Sequence, residues 1–198
     1  VIDMLRGVII QSGNDASKAL AEHIGGSEPA FAEIMNAEAK RLGMKNTNFM
    51  NATGLPDPAH ITTARDMAIL AQAIIRDNPK YYPIYSEKEF TYNNIKQGNR
   101  NALLYTDPSV DNLKTGHTEA AGYCLVASSK RGNMRLITAV MGTNSMQERA
   151  DQTRALFSWG FSSYETIKPL TAGKVLGDAQ VWFGTENHVK AGLDRDLS

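Results

Sequence analysis

A single cysteine, Cys124, excludes any disulfide within this chain and leaves the redox compartment open. No apolar run is long enough to span a bilayer as a helix. Neither sign of charge is in excess. The 21 Lys and Arg balance 21 Asp and Glu, so nothing in the charge argues for nucleic acid. His23, His60 and His188 are scattered without metal-ligand spacing; neither a metal nor an organic cofactor is expected. Val1 opens straight into helix-like sequence rather than a signal-peptide pattern, and no internal repeat or low-complexity segment is visible. What remains is ordinary globular composition: 198 residues, 42% hydrophobic, enough for one domain with a real core.

Met4, Leu5, Val8 and Ile9 recur at helical spacing, and Gly13 reads as the stop. A second helix is expected from about Asp15 to Ile24, ended by Gly25-Gly26. A third runs from an N-cap at Ser27 to Leu42, closed by Gly43. Residues 44–61 are rich in turn formers, and a loop that long is often functional. Thr63-Ala64-Arg65-Asp66 reads as a capping box, with Asp66 serving the start of a helix that runs to Ile75. Glu89–Tyr92, Asn93-Asn94 and Ile95-Lys96 spell a hairpin. Arg100 is either a site-rim residue or a backbone clamp. Tyr123–Ser128 and Arg135–Met141 read as strands joined at Arg131-Gly132-Asn133. Leu136, Ile137, Ala139, Val140 and Met141 are apolar on both parities, and such strands are covered on both faces, with Cys124 packed there. Helical spacing returns over Gln147–Phe161 through Ala150, Leu156, Phe157 and Trp159, and from Tyr164 short β-like segments follow.

Two short stretches carry chemistry. Lys114-Thr115-Gly116-His117 places a cation, a hydroxyl and a residue without a side chain in succession. On a strand, Lys114 and Gly116 face one way and Thr115 the other, and the glycine admits a close backbone or ligand. Alone, the triplet reads first as a plain strand end and only second as a site. Far upstream stands Ser12-Gly13-Asn14. S-x-x-K, S-D-N and K-T-G together mark class A β-lactamases and penicillin-binding proteins. Here Ser12-Gly13-Asn14 stands as the S-x-N element and Lys114-Thr115-Gly116 as K-T-G, in that order. Leu5-Arg6-Gly7, Ala64-Arg65-Asp66-Met67-Ala68 and His117-Thr118 match around them. Over essentially its whole length the chain resembles the low-molecular-mass penicillin-binding proteins that are serine D-alanyl-D-alanine carboxypeptidases, the penicillin-binding protein 5 and 6 type.

That resemblance implies an α/β (α+β) transpeptidase fold, with an antiparallel sheet between helical layers over residues 1–163. Residues 164–198 would begin a small β-rich domain. It implies trimming of the terminal D-alanine from peptidoglycan pentapeptides through an acyl-enzyme, with β-lactams as covalent inhibitors. It also implies a periplasmic location, with a C-terminal membrane anchor that is absent here. By the same resemblance, Ser12 relays a proton toward the leaving amine, and Asn14 bonds the substrate amide. Lys114 supplies charge for proton relay and carboxylate recognition. Thr115 donates to the carboxylate, Gly116 keeps the edge open, and the His117 N–H completes the oxyanion hole. Arg149 is either a partner of the substrate carboxylate or a solvated helix arginine, and the His117 side chain is assigned no base role. One element is missing: no serine in the chain is followed three residues later by a lysine. The attacking serine and its base are therefore expected on an upstream segment of the same protein. A serine β-lactamase, or a peptidoglycan-binding homologue without a nucleophile, are the other readings.

Overall fold

In the computed structural model, residues 1–167 and 169–197 are described. They fall into two compact units, Val1–Phe161 and Ser162–Ser198. The first unit opens with helices α1 (Ile2–Gln11), α2 (Asn14–Gly25), α3 (Glu28–Leu42) and α4 (Ala64–Asp77). A 3₁₀ turn at Tyr82–Ser86 leads into the hairpin β1 (Glu89–Tyr92) and β2 (Ile95–Gly98), then the short α5 (Leu103–Thr106). Strands β3 (Lys114–Thr118), β4 (Gly122–Arg131) and β5 (Met134–Thr143) form one antiparallel sheet in that order, and α6 (Met146–Ser163) follows. The second unit contains the antiparallel pair β6 (Val175–Gln180) and β7 (His188–Gly192). No helix among the described residues is long and apolar enough to cross a membrane.

The sheet lies between helical layers, as the alternation of its side chains requires. Leu125, Ala127 and Leu136 pack with Ala150, Phe157 and Phe161 of α6. Val126, Ile137 and Ala139 pack with Met67, Ala71, Ile74 and Ile75 of α4 and with Tyr82. Successive residues thus enter opposite cores, which is why both parities had to be apolar. Helix α6 is turned relative to its sequence reading. Its buried face is Ala150, Thr153, Phe157 and Gly160, while Leu156 and Trp159 are exposed.

The end of α1 departs from the expected glycine stop. The left-handed residue is Ser12 (φ 58°, ψ 43°), and Gly13 is extended as the N-cap of α2. The Ser12 N–H donates to the Val8 carbonyl and the Gly13 N–H to the Gly7 carbonyl. A non-glycine residue in that region costs about 1–3 kcal/mol and persists only where the surroundings dictate it.

Asp66 also has another task than the capping box predicts. Thr63 Oγ1 does accept from the Asp66 N–H, but the buried Asp66 carboxylate turns away. It accepts from the Asn46 N–H (2.8 Å) and the Thr47 hydroxyl (2.7 Å), fastening the start of the long loop.

Thr138, on the α6 side of β5, holds a buried hydroxyl with no hydrogen-bond partner among the described residues. A desolvated, unpaired hydroxyl is a net burden. Thr138→Val is expected to stabilise the protein by about 1 kcal/mol, read as a higher urea midpoint at unchanged slope. A lower midpoint would contradict this.

Candidate active site

The two motifs meet. Lys114 opens β3, one of the two edge strands of the sheet, and its Nζ donates to Ser12 Oγ at the end of α1. A second donor hydrogen of the same ammonium goes to the Thr115 carbonyl (2.8 Å). Residues more than a hundred positions apart therefore form one contact, made through the strained turn that puts Ser12 where it is. Asn14 is the first residue of α2, and its side chain is exposed.

Lys114 is half-buried, and every named influence on its ammonium pushes the same way. Burial comes first, then the positive fields of Arg100 and Arg149. Together they bring its pKa down to about 8. Charge of this sign favours an incoming anion, which would be held by groups already desolvated.

Arg149 is not a solvated helix arginine. It is 5% exposed. Its Nη1 reaches the Gly116 carbonyl (3.4 Å) and the Cys124 carbonyl (3.3 Å), and its guanidinium lies 5.8 Å from the centre of the Tyr123 ring. Burial lowers its pKa. Arg100 is exposed and acts on Lys114 through its charge, which fits the rim alternative and not the clamp.

The rest of β3 faces outward. Thr115 is half-buried, whereas Gly116 and His117 are exposed. The His117 ring lies against its cross-strand partner Tyr123, centroids 3.9 Å apart. A Cβ at Gly116 would meet only Cys124 Cβ, at an ordinary 3.8 Å. Interior packing therefore makes no demand for glycine there. At Gly122 (φ 66°) it does, because a Cβ would sit 2.7 Å from the Thr143 carbonyl oxygen. That turn lets β3 and β4 close beside the extra residue β5 carries between Val140 and Thr143.

Sequence reasoning passed over the residues that fix β3 from beneath. Tyr82 donates its hydroxyl to the Asn112 carbonyl (2.9 Å) and to Asp111 (2.9 Å), and Arg135 pairs with Asp111 (2.6 Å). Asn112 itself is buried with φ 64°. Asparagine tolerates this region better than most residues, and Asp111-Asn112 before a strand was the available signal.

Known proteins bear on this arrangement. Residues 1–145 match the family model described as D-alanyl-D-alanine carboxypeptidase, and residues 164–198 match one for the C-terminal domain of penicillin-binding protein 5. The chain is 52% identical to D-alanyl-D-alanine carboxypeptidase DacA of Haemophilus influenzae, covering 99% of this chain and 50% of that protein. With DacA of Escherichia coli K12 it shares 47%, over 100% of this chain and 49% of the relative. Among solved structures, penicillin binding protein 5 from Haemophilus influenzae superposes with a TM-score of 0.89 at 52% identity, covering 98% of this chain and 57% of the other. The chain spans about half the length of the curated relatives it matches.

Proposed function

The chain belongs to the D-alanyl-D-alanine carboxypeptidase family, and from that premise we propose that it supplies the proton-relay and carboxylate-binding side of a serine D-Ala-D-Ala carboxypeptidase. The observation that carries this reading is the Lys114–Ser12 contact between the two motifs. The substrate is the pentapeptide of peptidoglycan, met in the periplasm, where the full-length protein is attached to the inner membrane through a C-terminal anchor.

The reaction needs a nucleophile, a proton path to the leaving amine, donors for the oxyanion and a grip on the terminal carboxylate. The nucleophile is a serine of an S-x-x-K element delivered by polypeptide outside these 198 residues. Its oxygen bonds to the carbonyl carbon of the penultimate D-alanine while its hydroxyl proton passes to the lysine of the same element. The peptide C–N bond breaks, and the amine nitrogen of the departing D-alanine takes up a proton by way of Ser12 and Lys114. Water then hydrolyses the ester. The carboxylate lies against Thr115 and the charge of Lys114 and Arg149. Asn14 bonds the substrate amide, and the His117 N–H shares the oxyanion. The exposed edge at Gly116 leaves room for the peptide. A β-lactam presents the same carboxylate and a strained amide, and so acylates the same serine.

The test is release of D-alanine from a diacyl-Lys-D-Ala-D-Ala peptide by the full-length protein. Release, together with a long-lived penicilloyl adduct, is expected. Rapid nitrocefin turnover without D-alanine release would make it a β-lactamase instead. Neither release nor acylation would leave a peptidoglycan-binding role.

A further inference from the structure

We propose that three buried asparagines, Asn99, Asn101 and Asn112, are positioning residues that hold Lys114 at the Ser12 hydroxyl and fix the segment that carries Arg100. The proposal rests on reading this cleft as the carboxypeptidase site. All three lie on connecting segments between elements, yet they are only 8%, 1% and 1% exposed. Amides so placed must find partners, and here they find chiefly one another and the backbone. Asn101 Nδ2 donates to Asn112 Oδ1 (2.7 Å), and the Asn101 N–H donates to Asn99 Oδ1 (3.0 Å). Asn112 Nδ2 donates to the Tyr85 carbonyl (3.0 Å) and Asn99 Nδ2 to the Glu87 carbonyl (3.1 Å).

Their placement in the chain gives the cluster its purpose. Asn112 stands two residues before Lys114, and Arg100 stands between the other two. Fixing the three amides therefore fixes the backbone that carries both cations. The same frame reaches α1, the helix that ends at the Ser12 turn. Arg6 of α1 grips the Glu87 carboxylate with two hydrogen bonds (2.8 and 3.0 Å), and Gln11 donates to the carbonyl of Gly98 (2.6 Å), next to Asn99. One connected set of hydrogen bonds thus runs from α1, whose C-cap is Ser12, to Asn112, two residues ahead of the K-T-G strand. Apolar side chains would fill this space with less desolvation, but a satisfied polar network admits one arrangement.

Lys114 is held by Ser12 of α1 through a hydrogen bond, and the charges of Arg100, from the segment before α5, and Arg149, from α6, act on it. Asp111, on its own segment, is engaged by Tyr82 and Arg135. Loosening the frame lets the ammonium move toward water and away from Arg100, so its proton is held more tightly.

Asn112→Gly tests this in the full-length protein. Glycine takes a positive φ without strain, so the change removes the side-chain hydrogen bonds and leaves the turn intact. The Lys114 amine is titrated by NMR, its resonance assigned through Lys114→Arg, and acylation by benzylpenicillin is timed in parallel. Expected are a titration midpoint at least about one pH unit above wild type and acylation about tenfold slower, with unchanged near-UV dichroism. Should Asn112→Gly not fold, Asn99→Ser, at the outer end of the cluster, takes its place with the same readouts. A midpoint and an acylation rate equal to wild type would overturn the positioning role. Because the NMR titration needs no turnover, its result is separate from the functional reading. A shifted midpoint in a protein that neither releases D-alanine nor takes up penicillin would sustain the positioning role and refute the carboxypeptidase.

Discussion

Lys114→Ala in the full-length protein is expected to slow acylation by benzylpenicillin at least about a hundredfold, the scale on which enzymes lose a group that acts in the transition state. The ammonium has two tasks in the proposed cleft. It donates to Ser12, on the proton path, and it meets the substrate carboxylate in partly desolvated surroundings. Ser12→Ala cuts the same path and should fall on the same scale. If either variant stays within a few-fold of wild type, the roles are wrong.

The pH profile separates charge from bulk. A pKa of about 8 means that Lys114 carries its proton below that pH and loses it above. Acylation efficiency at low β-lactam concentration reports the free enzyme, so it should fall with a one-proton slope above about pH 8. Lys114→Arg keeps a charge throughout and should lack that limb. Stability supplies a control. The folded pKa lies below the usual lysine value, so the unfolded chain binds more protons between the two. Below about pH 8 the buried charge burdens the fold fully; the burden fades as pH rises toward the ordinary lysine value. Lys114→Ala should therefore be at least as stable as wild type at pH 7. A slow variant that is also well folded cannot be explained as unfolded protein.

How much of this was readable without coordinates depends on what a residue is compared with. Lys114-Thr115-Gly116 and Ser12-Gly13-Asn14 stood out because residue type and spacing carry their chemistry, and their order in the chain matched a known pattern. The two-faced sheet was readable because Leu136, Ile137, Ala139 and Val140 put apolar side chains on both parities. The other positions depended on tertiary context. Asn99, Asn101 and Asn112 have the composition of a surface turn, and only burial turns them into a frame. Arg149 shows a helix arginine to the reader of one sequence, yet its guanidinium sits on the carbonyls of two strands. Asp66 fitted a capping box at the right spacing, but a loop twenty residues earlier offered better donors. Local rules rank local partners; a partner from elsewhere in the fold overrides them.

Benzylpenicillin added to the full-length protein is expected to leave its penicilloyl group on a serine outside Val1–Ser198, in an S-x-x-K sequence, as read by mass after proteolysis. The competing candidate is Ser12, which already touches a lysine. The direction of that contact argues against it. With a pKa of about 8, Lys114 is mostly protonated near neutral pH. Its ammonium donates to Ser12 Oγ and cannot take the hydroxyl proton, as a base must. Burial and the charges of Arg100 and Arg149 loosen its hold on that proton, which suits the proposed acid's task. Ser128 and Ser129 are fully buried, and the Ser17 hydroxyl donates to the Gly13 carbonyl within its own helix. A penicilloyl group found on Ser12 would make Lys114 the base after all and invert the assignment. One found on a serine three residues ahead of a lysine places base and acid on opposite sides of the cleft, so that each can keep the protonation state its step requires.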